Sequence, residues 1–279
     1  MKDFEGRVAA ITGAASGIGR ALAEELSRRG CHLALSDIDE AGLAETAARC
    51  DGRVTVTTHR VDVADREAVH AWADKVVADH GKVNLAVNNA GVAVGANIRS
   101  MSYEDLDWLM GINFWGVVHG TKAFLPHLEA AGEGHIVNLS SIFGLISIPT
   151  QSAYNAAKFA VRGFTDALRI ELKIERSPVS CTTVHPGGVK TNIVRNGRFD
   201  AEAREMALGE DPGDRFERVA FTRPEVAARQ ILAAVERDKR RVLIGPDAKA
   251  VDLVSRLPAG LYQGFLIATG RLERRRRRS

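Results

Sequence analysis

Arg7-Val8-Ala9-Ala10-Ile11-Thr12-Gly13-Ala14-Ala15-Ser16-Gly17-Ile18-Gly19 passes from an apolar run into a glycine-rich turn. Arg7 to Thr12 reads as a first strand, and the chain to about Arg29 as a helix. Glycines at 13, 17 and 19 let the backbone approach a ligand closely, and the helix N-terminus behind them offers N–H donors and partial positive charge. That combination suits a pyrophosphate, with Ser16 and Ile18 lining the same turn. The spacing is Gly-x-x-x-Gly-x-Gly, not the Gly-x-Gly-x-x-Gly of the general dinucleotide fingerprint. Asp37 closes the second strand about twenty residues on, where an acid accepts hydrogen bonds from ribose hydroxyls and repels a 2′-phosphate. Ile38 follows it, and Arg20 is the basic residue near the glycines that could act the other way. NAD is therefore expected in preference to NADP. Asp62 and Val63, just past the third strand, could meet the adenine by side chain and backbone.

Outward from this turn, short β-type runs alternate with longer helical ones, as in the βαβ units of a parallel sheet. The strands are expected at Arg7–Thr12, His32–Ser36, Val54–Thr58, Val83–Val87, His135–Leu139, Val179–Val184 and Arg241–Ile244. Helices are expected near Glu40–Arg49, Arg66–His80, Tyr103–Leu128 and Ser152–Glu175. The fold expected is α/β: a single doubly wound domain over residues 1–250, with a seven-stranded parallel sheet and helices on both faces. The stretch from about 191 to 222 is highly charged and rich in turn signals; an insertion of that length reads as a substrate lid. Residues 251–279 form an apolar segment interrupted by Pro258, Gly260 and Gly264, closed by Arg274 to Arg278.

The chain has 279 residues, 45% of them hydrophobic and 26% charged, and a formal charge of +3. Those proportions fit a soluble globular protein. Without the five terminal arginines the charge would be slightly negative, so the body of the protein offers no case for binding nucleic acid. Cys31, Cys50 and Cys181 lack metal-ligand spacing and leave one thiol over in any disulfide scheme. No metal is expected. Buried, reduced thiols, the absence of a signal peptide and the lack of a long uninterrupted apolar run point to the cytoplasm.

The chemistry is carried by Ser140-Ser141-Ile-Phe-Gly-Leu-Ile-Ser-Ile-Pro-Thr-Gln-Ser-Ala-Tyr154-Asn-Ala-Ala-Lys158. A tyrosine and a lysine four apart on a helix share a face, so the ammonium can lower the phenol pKa from about 10. A serine hydroxyl from the preceding segment can hydrogen-bond the same substrate oxygen. Together these form a proton donor, its activator and an orienting group.

With the glycine turn, these residues resemble the short-chain dehydrogenase/reductase family, from Arg7 to about Ile244. The resemblance rests on Thr12-Gly13-x-x-x-Gly17-x-Gly19, Asp62, Asn88-Asn89-Ala90-Gly91, Asn113, the Ser141/Tyr154/Lys158 set, and Pro186-Gly187 with Thr191. It implies that Tyr154 is the general acid/base and that Lys158 binds the nicotinamide ribose. Ser141 would orient the carbonyl or alcohol, and Asn113 would hold a water in a proton relay. Asn89 and Gly91 would line the cofactor path, and Pro186, Gly187, Val189 and Thr191 would lie along the carboxamide. It also implies an NAD(P)-dependent oxidoreductase acting on a secondary alcohol or ketone, assembled as a homodimer or homotetramer.

Phe143, Leu145 and Ile148, with Val92 and Val94, are candidates to border an apolar substrate of steroid, terpenoid or lipid type. Arg195 and Arg198 in the lid are the competing signal for a carboxylate or phosphate. Helices 103–128 and 152–175 are apolar nearly all round and want a partner beyond the sheet. The terminal arginines are either a solvated end or, with the apolar segment before them, a weak peripheral membrane contact. The rival functional reading is a non-catalytic nucleotide-binding regulatory or scaffolding protein on the same fold.

Overall fold

A computed structural model describes residues 1–201, 203 and 211–276. Part of the expected lid, residues 202 and 204–210, and the last three residues lie outside the described residues. The elements in chain order are β1 (Val8–Thr12), α1 (Gly17–Arg28), β2 (His32–Asp37), α2 (Glu40–Arg49), β3 (Val56–Arg60), α3 (Arg66–His80), β4 (Leu85–Asn88) and the two-residue β5 (Val94–Gly95). Then come α4 (Tyr103–Met110), a π turn (Gly111–Trp115), α5 (Gly116–Ala130), β6 (Gly134–Leu139), a short 3-10 turn (Ile142–Gly144), α6 (Ser152–Ile174) and β7 (Val179–Pro186). The chain closes with β8 (Arg198–Phe199), α7 (Pro212–Val219), α8 (Pro224–Glu236), β9 (Arg241–Ile244), α9 (Pro246–Val254) and α10 (Ala259–Arg276).

Seven strands form one parallel sheet in the order β3-β2-β1-β4-β6-β7-β9. Strand side chains alternate between faces, and the core divides accordingly. Ala9, Ile11, Leu33, Leu35 and Leu85 pack with Leu22, Leu26, Ile231 and Leu232 of α1 and α8. Val8, Ala10, Ala86, Ile136 and Cys181 pack with Trp72, Phe124, Leu128 and Leu168 of α3, α5 and α6. Trp72 and Phe124 meet edge to face at 5.1 Å.

The structure departs from the sequence expectation in places that have physical causes. The third strand sits at Val56–Arg60, two residues later than expected. It is the sheet edge, paired only to β2, so its polar side chains reach solvent and apolar content does not mark its ends. The fourth strand is Leu85–Asn88, because the Asn84 side chain spends its amide on Val8 N and Glu133 O at the strand entrance. The expected helix 103–128 is interrupted by the π turn that carries Asn113. Pairing with Leu243 and Ile244 extends the sixth long strand to Pro186. The boundary drawn at 250/251 falls inside α9, whose Asp252 ties Arg241 to Arg256. No helix of the described residues is long and apolar enough to cross a membrane.

Candidate active site

The strand order reverses between β1 and β4, and the crevice beyond their carboxyl ends is where an open α/β sheet receives a ligand. Thr12 joins the two strand ends: its hydroxyl accepts from Asn89 N at 3.0 Å and Ala90 N at 3.1 Å. The Asn89 amide donates to Thr12 O and Gly13 O at 2.9 and 3.0 Å. Gly13 and Gly17 have φ of +67° and +54°, a region that favours glycine. A Cβ on Gly19 would stand 2.1 Å from Gly13 O, so the turn closes only over glycine. Ser16 is exposed and makes no capping bond, which leaves the first N–H groups of α1 facing the crevice.

Asp37 ends β2 beside this turn, with Oδ2 accepting from Ala15 N at 3.0 Å and Oδ1 from Asp39 N at 3.1 Å. An ionised carboxylate has four acceptor positions, so capacity for ribose hydroxyls remains. Arg20 turns away: it bonds Thr46 Oγ1 at 3.0 Å, Ala15 O and Gly42 O, and pairs with Glu45 at 2.9 Å. Asp62 is exposed and accepts from Ala64 N within its own turn. Val63 is buried against Gly116, and its carbonyl meets His119 Nδ1 at 3.1 Å.

The catalytic candidates converge at the same carboxyl-terminal end of the strands. Ser141 follows β6, while Tyr154 and Lys158 lie one helical turn apart on α6. The Ser141 hydroxyl hydrogen-bonds the tyrosine and accepts from Phe143 N at 3.1 Å. The Lys158 ammonium is buried, donates to Leu139 O at 2.9 Å and lies 5.5 Å from the centre of the Tyr154 ring. A Cβ on Gly91 would stand 3.3 Å from Asn113 Oδ1 and 3.7 Å from Lys158 Nζ, so these three positions face one space. The Asn113 amide clamps Val92, accepting from its N at 2.8 Å and donating to its O at 2.9 Å.

Packing works against one electrostatic expectation. Burial pushes the Tyr154 phenol up to about 12, against a smaller lowering by Ser141, and burial pushes Lys158 down to about 8. The chain alone does not lower the tyrosine. Desolvation penalises both charged forms, and the ammonium is held on Leu139 O.

Residues that the sequence did not single out, together with Asn88, hold this arrangement. Asn155 donates to Phe143 O and Ile146 O at 2.8 and 2.9 Å and accepts from Ile148 N at 3.3 Å, fixing the loop after Ser141. His185 Nδ1 meets Ser141 O at 2.8 Å; burial pushes this histidine down to about 4. Asn88, Asn138, Thr121 and Thr165 form a buried amide and hydroxyl chain beneath the site. The signal for Asn155 was a polar residue at an inward position of an apolar helix; the others needed the tertiary structure.

Of the apolar lining candidates, Phe143, Ile148 and Val92 are partly exposed, whereas Leu145 and Val94 are buried in the core. Phe143 stands edge-on to Tyr154 at 6.1 Å. Arg195 and Arg198 of the charged stretch are engaged within the protein: Arg195 with Asp214 and Glu217, Arg198 with Asp105 and over the Trp108 ring at 3.9 Å. A cleft of about 670 Å³ lined by Lys190, Asp211, Asp214, Glu217 and Arg218 is charged and holds none of the catalytic candidates. The Pro186–Thr191 segment, expected to lie along the carboxamide, is held around Val189, which is buried and bridges to Thr222, while Thr191 covers the glycine turn: a Cβ on Gly17 would stand 3.0 Å from its Cγ2.

Residues 7–202 match the family described as short chain dehydrogenase. The chain belongs to the short-chain dehydrogenase family. Within this oxidoreductase family it is 51% identical over 269 residues to SadH of Mycobacterium tuberculosis, named an oxidoreductase, covering 96% of each chain. It is 37% identical over 197 residues to human estradiol 17-beta-dehydrogenase 11, covering 70% of this short-chain dehydrogenase and 66% of the relative. A short chain dehydrogenase/reductase from Burkholderia phymatum, solved in complex with NAD, superposes with a TM-score of 0.83 at 33% identity, covering 90% of this chain and 93% of that one.

Proposed function

We propose that this short-chain dehydrogenase moves a hydride between NAD(H) and an apolar secondary alcohol or ketone, with Tyr154 as general acid/base. The observation that carries the reading is the convergence of Ser141, Tyr154 and Lys158 on the space facing Gly91 and Asn113. The residues present fit a dinucleotide: the α1 N-terminus and glycine turn for the pyrophosphate, Asp37 for the adenosine ribose, Lys158 for the nicotinamide ribose, and Pro186–Thr191 for the carboxamide. When bound, the nicotinamide supplies the hydride acceptor or donor. Ser141 orients the substrate oxygen. In oxidation Tyr154 takes the hydroxyl proton, and in reduction it returns one; Lys158 and Asn113 lie behind it on the path of that proton. NAD is preferred because Asp37 opposes a 2′-phosphate and Arg20 is committed to Glu45, Thr46 and backbone carbonyls. Partly exposed Phe143, Ile148 and Val92 beside Tyr154, and the steroid named for the human relative, favour an apolar substrate.

The assembly we propose is a homodimer or homotetramer joined through α5 and α6; Phe159, Ile170 and Ile174 on α6 and Trp115 in the π turn before α5 are exposed. Free Cys31 and Cys181, buried and pushed up to about 12, suit a reducing cytoplasm. Exposed Leu257, Leu261, Phe265 and Ile267 around α10, next to the terminal arginines, support a weak peripheral membrane contact.

The test is Tyr154→Phe, read as NADH absorbance over a panel of secondary alcohols and as calorimetric binding of NAD and NADP. Turnover should fall by at least about a hundredfold with NAD binding retained. Asp37→Ala should narrow the difference between the two cofactors. Near-normal turnover by Tyr154→Phe would refute the assignment, and binding of NAD without turnover of any alcohol by the unmutated chain would favour the regulatory reading.

A further inference from the structure

The segment after β7 is gripped from three directions. Gly187 N donates to Ile244 O at 3.0 Å, at the end of β9. Thr222 N donates to Gly188 O at 3.1 Å, and Lys190 N donates to Thr222 O at 2.9 Å. The third contact comes from a side chain: Asp247, in the first turn of α9, accepts from Gly188 N at 2.6 Å through Oδ2.

Two glycines make room for this carboxylate. A Cβ on Gly187 would stand 2.1 to 2.3 Å from its atoms, and a Cβ on Gly245 would stand 2.5 Å from Oδ1. Gly245 also takes φ +92°, which a side chain would resist. Oδ1 is buried with no hydrogen-bond partner. The residue is half-buried, and an inaccessible oxygen left without a partner costs stability. Its one polar link among the described residues is to the turn, and the turn in turn places Thr191 over Gly17.

We propose that Asp247 is a positioning residue for the nicotinamide half of the cofactor. It acts through Gly188, fixing the path of Gly187–Val189 so that the turn and Thr191 meet the carboxamide in a preset geometry. A charge-assisted hydrogen bond at 2.6 Å is short and stiff, and a preset turn avoids an ordering cost on binding. The proposal rests on the reading that Pro186–Thr191 meets the carboxamide. It adds a residue from α9, an element separate from those that carry the glycine turn, Asp37 and the catalytic trio.

The experiment compares NAD with ADP-ribose, which lacks the nicotinamide, by calorimetric titration of the full chain. The unmutated protein should bind NAD more tightly than ADP-ribose. Asp247→Ala should weaken NAD about tenfold, the factor carried by a hydrogen bond to a charged group, and leave ADP-ribose unchanged. KM for NAD should rise in step while kcat at saturation changes little. Asp247→Asn keeps an acceptor in the same place, so it should fold as the parent does and lose only part of the NAD affinity. Equal weakening of both ligands would assign Asp247 a general structural role and overturn the proposal, as would unchanged NAD binding in both variants. Equal affinity of the unmutated protein for NAD and ADP-ribose would refute the underlying carboxamide reading, and the proposal with it; failure to bind either would refute the dinucleotide reading as a whole.

Discussion

Replacing Asn155 tests the architecture of the site without any knowledge of substrate. Its side chain is 5% exposed and makes three hydrogen bonds, to Phe143 O, Ile146 O and Ile148 N, across the loop that follows Ser141. Each is worth about 1 kcal/mol net, so Asn155→Ala should cost about 2 to 3 kcal/mol, since partly exposed Phe143, Ile146 and Ile148 let water recover some of it. For a domain of this size that is a fall in Tm of about 5 to 10 °C. Asn155→Asp is the sharper variant. It keeps an acceptor for Ile148 N but aims a carboxylate at two carbonyl oxygens, so it should be less stable than Asn155→Ala despite its shape. The assay is scanning calorimetry on the three proteins without ligand. The order expected is parent, then Ala, then Asp. An Asn155→Asp protein as stable as the parent would refute the view that the amide donors hold this loop. The same loop carries Phe143 against Tyr154, so Asn155→Ala should also raise KM for an alcohol substrate more than KM for NAD.

Burial pushes His135 and His185 down to about 3 and about 4, so as pH falls the unfolded chain takes up protons before the folded one. The stability they allow is complete above about pH 6.5 and is lost toward pH 4, at roughly 1.4 kcal/mol per pH unit for each histidine. Urea melts at pH 7.5 and 5.5 should show this loss, and His135→Asn should flatten it by about half; an unchanged slope would mean that the ring is protonated in place. The full chain should co-sediment with anionic vesicles at low salt and be released as the Debye length shrinks to about 8 Å near physiological salt. Removing Arg274 to Arg278 should abolish the salt-sensitive part, and equal sedimentation with and without them would identify a solvated end.

The glycine turn, the acid after it and the tyrosine–lysine pair were legible because they are local. A glycine turn between a strand and a helix, an acid at the next strand end, and a Tyr-x-x-x-Lys pair on one helix face each need only neighbouring residues to be read. What was not legible depends on closure of the chain. Asp247 reaches Gly188 only once β9 has paired with β7, and His185 reaches Ser141 only across β6 and β7. The π turn at Asn113 has no local composition that distinguishes it from continuous helix. The balance at Tyr154 was hidden for a different reason: spacing shows that an ammonium is near, but not that it is held on Leu139 O or how strongly desolvation opposes it. Likewise Arg195 and Arg198 look available in sequence and are committed in space to Asp105, Asp214 and Glu217.

The position of β9 at the edge of the sheet has a consequence for the order in which the protein is made. β7 is a long strand, and Thr183 to Pro186 find their second pairing partner only in Arg241–Ile244. While the ribosome synthesises the residues between them, β7 presents an open edge of unpaired N–H and C=O groups, the kind of surface on which nascent chains associate. Thr222, Ile244 and Asp247, which shape the turn after β7, emerge in the same late stretch. A product released before Ile244 would carry the glycine turn, the serine, the tyrosine and the lysine and still lack two of the turn's anchors, Ile244 and Asp247.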